Sequence, residues 1–324
     1  MPALDHRPLG SSGLEVSLFA LGSWRTFERI PHDQGLAVMR EAREAGITFL
    51  DDARYNDETG NAPIPSGYSE ILFGELFREA EWVRDDVVVS NKLWWEFWPE
   101  QDAAAELNGS LRRMGLDHID LIYTMQPPKG LTIAQLVAQV ATLVSSGRAR
   151  SWGVGNWPAD QLTEAVQVAR SLGLPLPAAA QLPYSLVHPD WVQDPKMEAV
   201  LADADIGLVT SYVLAGGTLT GKYLQGESGR AATDQSPAAV AGKQRATAVV
   251  ELAREWNVSP ASLAFAFALS HPRLSSVLFG ATSPEQVREN VASLEVFESL
   301  DNDQRARLTA LAVTPPGPAA HRNA

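Results

Sequence analysis

The chain contains no cysteine among its 324 residues. Disulfides, thiolate nucleophiles and cysteine-ligated zinc are therefore excluded. It has no run of about 18 apolar residues, the length that spans a bilayer. Its first ten residues, MPALDHRPLG, lack the basic start and apolar stretch of a signal peptide. The expectation is a soluble, cytoplasmic protein without a membrane partner. Positive charge is scarce. The 26 Lys and Arg stand against 39 Asp and Glu, giving a net charge of −13 and a pI near 4.9. Phosphate-backbone binding needs a basic face, so nucleic acid is not an expected partner. There is no metal-ligand cluster and no G-x-S-x-G elbow, which leaves hydrolase or isomerase chemistry unsupported. An early G-x-G-x-x-G turn is also missing: Gly10, Gly13 and Gly22 have the wrong spacing. That counts against a doubly wound dinucleotide fold.

What is present is a regular alternation. Hydrophobic residues make up 45% of the chain, enough for a sizeable core. Short apolar runs at Val16–Leu21, Ile47–Leu50, Val87–Val89, Ile119–Tyr123, Arg150–Val154, Ala178–Leu182, Ile206–Thr210 and Ser276–Phe279 are separated by helical patterns. The helical patterns include Asp33–Ala45, Tyr68–Glu79, Pro99–Met114 and a long stretch from Ala238 to Ser270. Eight strands interleaved with helices predict an α/β protein, a single (β/α)8 TIM barrel. An N-terminal hairpin is predicted over Arg7–Val16. The barrel is expected over residues 1–313, with a disordered tail at 314–324. Two loops, Asn56–Gly67 and Val213–Ala238, are too long to be mere connectors. Both leave the C-terminal mouth of the barrel.

That mouth is where strand ends converge. Asp51 ends the second barrel strand, Tyr55 follows four residues later, and Lys92 ends the third. An ammonium beside a phenol is expected to lower the phenol pKa, and a carboxylate can hold the ammonium. Acid, phenol and amine together form a device for moving a proton to or from a carbonyl oxygen. Asn156 and Gln181 put side-chain amides at the next strand ends, with Tyr184 just beyond. Amides and a ring suit a flat heteroaromatic group, although an asparagine there also suits a helix N-cap. Ser211, Gly216, Lys222, Gly280, Ser283 and Arg288 lie in the last two loops, where barrels commonly bind phosphate. Four aromatics in five residues, Trp94, Trp95, Phe97 and Trp98, predict an apolar pocket or a helix-face core stripe.

In the stretches RPLGSSGLEVSLFALGSW, GITFLDDARY, GYSEILFGELF, SNKLWW, GLDHIDLIY, GRARSWGVGN, QLPYSLV, GGTLTGKY and FGATSPEQVREN, in this order, the chain resembles the aldo-keto reductase superfamily. The likeness runs from about Pro8 to Glu298. In GGTLTGKY and the G-A-T-S-x-E-Q-x-x-E-N run the chain resembles the branch that includes potassium-channel β-subunit-like reductases more than the classical aldose reductases. The resemblance implies a (β/α)8 barrel and reduction of a small-molecule carbonyl, with hydride from NADP(H) and NAD(H) left open. It assigns Asp51, Tyr55 and Lys92 to three members of the family's catalytic tetrad. Asn156 and Gln181 would hold the nicotinamide carboxamide and Tyr184 would stack on its ring. Ser211, Leu214, Gly216 and Lys222 would contact the cofactor from one loop. Gly280, Ser283, Gln286, Glu289 and Asn290 would do so from the other. Gly22 and Trp24 would complete that set, and Trp24, Trp94, Trp95 and Gln126 would line an aromatic pocket for bulky carbonyls.

Three departures from the family pattern stand out. Met125 occupies the slot of the family's histidine, leaving Gln126, Trp94 or His188 to replace it. The Asp51-to-Tyr55 interval is one residue short, which makes Tyr68 a reserve phenol. Gly155 stands where the family has serine, and Gln286 where it frequently has an arginine for the 2′-phosphate. These departures leave a second possibility, a nicotinamide-binding regulatory or sensor protein with weak turnover. Oligomeric state is not readable from the sequence.

Overall fold

The computed structural model describes residues 4–226 and 234–312. Residues 227–233 of the second long loop and the expected tail at 314–324 lie outside the described residues. A two-stranded antiparallel hairpin, β1 (His6–Pro8) and β2 (Glu15–Ser17), precedes the barrel. The barrel strands are β3 (Phe19–Gly22), β4 (Phe49–Asp51), β5 (Val88–Leu93), β6 (Ile119–Thr124), β7 (Ala149–Gly155), β8 (Ala179–Pro183), β9 (Gly207–Ser211) and β10 (Leu274–Phe279). They form one closed parallel barrel, in chain order, with β10 returning to β3. Each of the eight apolar runs thus contributes one barrel strand. The first run, Val16–Leu21, is divided between β2 and β3.

Around the barrel lie α1 (His32–Glu44), α2 (Tyr68–Glu79), α3 (Ala103–Met114), α4 (Ile133–Ser145), α5 (Ala159–Leu172), α6 (Asp190–Gln193) and α7 (Pro195–Asp203). They are followed by α8 (Pro237–Trp256), α9 (Pro260–Leu269), α10 (Pro284–Ser299) and α11 (Asn302–Ala310). Two boundaries differ from the sequence expectation. The stretch 238–270 is broken in two: Asn257 adopts the left-handed conformation that ends α8, and the Ser259 side chain caps α9 by accepting from the Ser262 amide. Helix α3 begins at Ala103, where the Asp102 side chain accepts from the Ala105 amide. The aromatic run at 94–98 therefore lies in a turn and is not a helix stripe.

Side chains of a barrel strand alternate between the interior and the helix layer. Ala20, Phe49, Val88, Leu121, Tyr123, Ala179 and Val209 pack together as the interior column. Counting in twos from those positions places Asp51, Lys92, Met125, Gln181 and Ser211 on the same inward face, at the C-terminal ends of their strands. The opposite end is closed. Leu9, Leu14 and Val16 of the hairpin join the interior column. The Ser11 amide donates to the Asp205 carbonyl at 2.9 Å, and the Ser275 hydroxyl donates to the Pro8 carbonyl at 2.9 Å. Gly10 makes this fit possible. Its φ is +51°, and a Cβ there would lie 2.4 Å from the carbonyl oxygens of both Ala178 and Asp205.

Candidate active site

Asp51 is the hub of the open end. It is 2% exposed, and its carboxylate receives three side-chain donors. Lys92 Nζ donates to Oδ2 at 2.5 Å; the Ser90 hydroxyl and Gln181 Nε2 donate to Oδ1 at 2.7 and 3.2 Å. Strand pairing sets these distances, because Asp51 lies opposite Ser90 on β5, two residues before Lys92. Lys92 Nζ also donates to the Tyr55 hydroxyl at 3.2 Å. The shortened 51–55 interval thus still brings the phenol to the ammonium. Tyr55 is held by its amide, which donates to the Ala53 carbonyl at 3.0 Å, and by its carbonyl, which accepts from the Gly67 amide at 2.8 Å. The reserve phenol, Tyr68, is the first residue of α2 and packs against the core.

The expected lowering of the Tyr55 pKa is not what the surroundings produce. Burial raises it well above the ordinary phenol value, and the charges of Asp51, Asp52, Glu70 and Glu28 push the same way. Lys92, paired with Asp51 at 2.5 Å, does not outweigh these effects. The phenol is thereby kept protonated, as a proton donor must be. Tyr123, opposite Lys92 on β6, is likewise raised, first by burial and then by the Asp51 charge. Behind the strand, Asp52 is fully buried and accepts from the Ser23 hydroxyl. Its carboxyl is pushed up by burial and by Glu70, while Ser23, the Ala53 amide and Lys92 pull it down.

The aromatic turn is held by residues that the sequence reading did not single out. Glu106 of α3, 3% exposed, accepts from the consecutive amides of Trp94 and Trp95 at 2.9 and 3.1 Å. Arg54, immediately before Tyr55, lies 3.7 Å from Glu106. Its guanidinium also donates to Glu96 and to Ser66, both at 2.8 Å, and sits 5.1 Å from the Phe97 ring centroid. One buried arginine therefore ties the loop after β4 to the turn after β5. The result places the Trp94 ring edge-on to Tyr55, with centroids 6.0 Å apart. Trp95 is not a pocket residue. It is 1% exposed, adopts a left-handed φ of 60°, and its indole N–H donates to the Thr124 hydroxyl at 2.8 Å.

Met125 follows β6, and its amide donates to the Leu93 carbonyl at 2.9 Å. A Cβ on Gly155 would lie 2.6 Å from the Met125 sulfur. Two departures from the family pattern are thus one adjustment, since the thioether lies over the glycine. Gln126 is occupied elsewhere: its amide donates to the Asn156 carbonyl at 2.8 Å. Asn156 has a left-handed φ of 55° and its amide donates to the Gln181 carbonyl at 3.0 Å. It does not cap α5, whose N-cap is Pro158.

On the remaining side of the mouth, Tyr184 is not available for ring stacking. It is 2% exposed, stacks on Phe267 at 4.8 Å, meets His271 edge-on, and its hydroxyl accepts from Gln193 at 3.0 Å. It lies at an odd offset from inward-facing Gln181 and so points into the helix layer. Half-buried Tyr212, left-handed at φ 58° just past β9 and 6.0 Å from the His188 ring, is the aromatic at that rim. Leu214 leads into a 3-10 turn in which Gly216 and Gly217 take left-handed backbone, and Lys222 Nζ lies 5.1 Å from the Tyr223 ring. Gly280 comes so close to the segment after β3 that a Cβ would lie 3.0 Å from Thr26 Oγ1; Gly22 and half-buried Trp24 are on that neighbouring edge. Ser283 caps α10 by accepting from the Gln286 amide. Gln286 Oε1 accepts from the Thr282 amide at 2.8 Å, and Arg288 is bound by both Glu41 and Glu285. Glu289 is exposed and Asn290 buried on the second turn of α10. Among the described residues no group of His, Cys, Asp or Glu could hold a metal ion, and no helix is long and apolar enough to cross a membrane.

Comparison with known proteins places this geometry in context. The sequence profile of the Aldo/keto reductase family matches residues 19–313. A protein of Oryza sativa subsp. japonica named probable voltage-gated potassium channel subunit beta is 30% identical, over 97% of this chain and 98% of its own length. A protein of the same name from Arabidopsis thaliana is 29% identical, over 92% of this chain and 93% of its own. The L-glyceraldehyde 3-phosphate reductase of Escherichia coli (strain K12) is 29% identical, over 90% and 88%.

Proposed function

This chain belongs to the aldo/keto reductase family of oxidoreductases, and from that premise we propose that it reduces aldehyde or ketone carbonyls with a nicotinamide cofactor, Tyr55 acting as general acid. The observation that carries the proposal is the Lys92 ammonium shared between Asp51 at 2.5 Å and the Tyr55 hydroxyl at 3.2 Å, at the open end of a closed barrel. The donor set fits a dinucleotide. Asn156 is not consumed as a helix cap, Gln181 sits beside Asp51, and Gly216, Gly217 and Gly280 let backbone come close. Asn156 and Gln181 would hold the carboxamide, Tyr212 takes the stacking role expected of Tyr184, and Ser211, Gly280 and the capped start of α10 would hold the phosphates. When bound, the cofactor supplies hydride.

The chain's own residues do the rest. Tyr55 gives its proton to the carbonyl oxygen. Lys92 orients the hydroxyl and stabilises the phenolate left behind. Asp51 fixes Lys92. General acid catalysis of this kind contributes about 10²–10⁴ in rate. Trp24 and Trp94 would form an aromatic wall that favours bulky carbonyls. The test is to mix purified protein with NADPH or NADH and a panel of aldehydes, ketones and quinones. Loss of reduced-cofactor absorbance is expected with the wild type and should fall about 10²-fold or more in Tyr55→Phe. Unchanged turnover in that variant would rule out the assignment. A second reading, a cofactor-binding sensor, is favoured by Met125, which cannot donate a hydrogen bond where the family has histidine. Tight cofactor binding without oxidation of the bound reduced cofactor by any carbonyl in the panel would establish it.

A further inference from the structure

The mouth has a phenol to protonate a carbonyl oxygen but, at position 125, a thioether in place of a second donor. Of the three groups that could take its place, two are otherwise engaged. The Gln126 amide is given to the Asn156 carbonyl at 2.8 Å. His188 lies beyond Tyr184, with its ring 6.0 Å from Tyr212, and burial lowers its pKa. The third is different. Trp94 Nε1 is buried and has no acceptor among the described residues. An indole nitrogen only donates, and a buried donor left without an acceptor is destabilising. Its ring stands edge-on to Tyr55 at 6.0 Å. By strand parity it follows Lys92 on the inward face. Its backbone is pinned by Glu106, which accepts from the Trp94 amide at 2.9 Å and is itself neighboured by Arg54 at 3.7 Å. The backbone that carries the ring is thereby fixed beside Tyr55.

We propose that the Trp94 indole N–H is the second hydrogen-bond donor to the substrate's carbonyl oxygen, with Glu106 as its positioning residue. The inference rests on the carbonyl-reductase reading. Among the described residues the donor has no acceptor; a carbonyl oxygen seated beside Tyr55 satisfies it, and the bond strengthens as negative charge builds on that oxygen. Met125 is then tolerated because the oxygen is held from the β5 side of the mouth.

Two measurements on the full chain test this. First, kcat and KM for 4-nitrobenzaldehyde and the Kd of NADP+ are compared in wild type, Trp94→Phe and Trp94→Phe/Met125→His. Loss of one oxyanion donor predicts a fall of about 10²–10³ in kcat for the single variant. Cofactor affinity should stay within about twofold, and the double variant should recover at least tenfold of the lost rate. Unchanged kcat in Trp94→Phe would overturn the proposal. So would an equal loss of cofactor affinity, or a double variant no faster than the single one. Second, the indole proton resonance of Trp94 is followed while benzoate is added to the NADP+ complex. A downfield shift supports donation to a ligand oxygen; benzoate binding without that shift overturns it. The second measurement stands without turnover, so a wild type inert to every carbonyl would count against the reductase reading and leave the donor question decided by the resonance.

Discussion

The two halves of the barrel mouth are built on different principles. From β4 to β6 the site is made of side chains. Asp51, Ser90 and Lys92 are buried and bonded to one another, Gln181 of β8 reaches across to Asp51, and Arg54 and Glu106 brace the turn above them. From β9 to β10 it is made of backbone, with Gly216 and Gly217 in left-handed turns, Gly280 pressed on Thr26, and Ser283 capping α10. The first half fixes the atoms that would move a proton in the proposed reduction. The second supplies amide groups and clearance, which suit recognition of a ligand that is held but not altered there. A substitution in the first half should therefore change rate, and one in the second should change affinity.

The largest expected effect comes from Lys92→Met. It removes the donor shared by Asp51 and Tyr55, and turnover should fall by about 10²–10⁴. It also leaves a buried carboxylate without its cation, a loss typically worth about 3–5 kcal/mol. Urea unfolding measured beside kcat separates the two. A variant that stays fully active would break the contrast between the halves. A smaller effect is expected from Gln286→Arg. Arg288 on the same helix is held by Glu41 and Glu285, and Gln286 itself is bonded to Thr282. A new guanidinium at that helix start should improve NADPH over NADH about tenfold in KM, through one charge-assisted hydrogen bond, with kcat unchanged. A change in kcat with no change in cofactor preference would count against the division.

The smallest effect lies outside both halves. Burial lowers the pKa of His188 and of His271, with Glu198 opposing for His271 and Asp190 for His188. Both are thus neutral in the folded chain at a pH where the unfolded chain begins to bind protons. Their contribution is fully present above the ordinary histidine value near 6.5 and is lost as pH falls through the lowered folded values. Stability should decline as pH falls below about 6.5, and His271→Asn should flatten that decline. A urea midpoint that does not fall on acidification below that pH would refute it.

Much of this was legible in the sequence because a barrel strand has a period of two. The apolar runs located all eight strands, and the strand ends put Asp51, Lys92 and Gln181 together. The same parity was available where the reading went astray. Tyr184 lies three residues after Gln181 and Trp95 three after Lys92, so both point outward, and the structure buries both. Arg54 and Glu106 were not legible. They lie 52 positions apart in the numbering, and a charged pair on a helix and a loop reads as surface until the fold brings it inside. The direction of the Tyr55 shift was missed for a related reason. The sequence shows the lysine nearby but not how much burial and carboxylate charge surround the phenol.

The hairpin beneath the barrel bears on how a proton donor is recharged. Below Asp51 the axis is filled by Phe49, Val88, Leu121 and Val209, and then by Leu9 and Val16 of the hairpin. A thread of water needs polar partners at each step, and this column offers hydrocarbon. If Tyr55 yields its proton at every cycle, as we propose, the replacement would come from bulk solvent through the same opening that admits the ligands, and refilling would wait until the product has cleared the way.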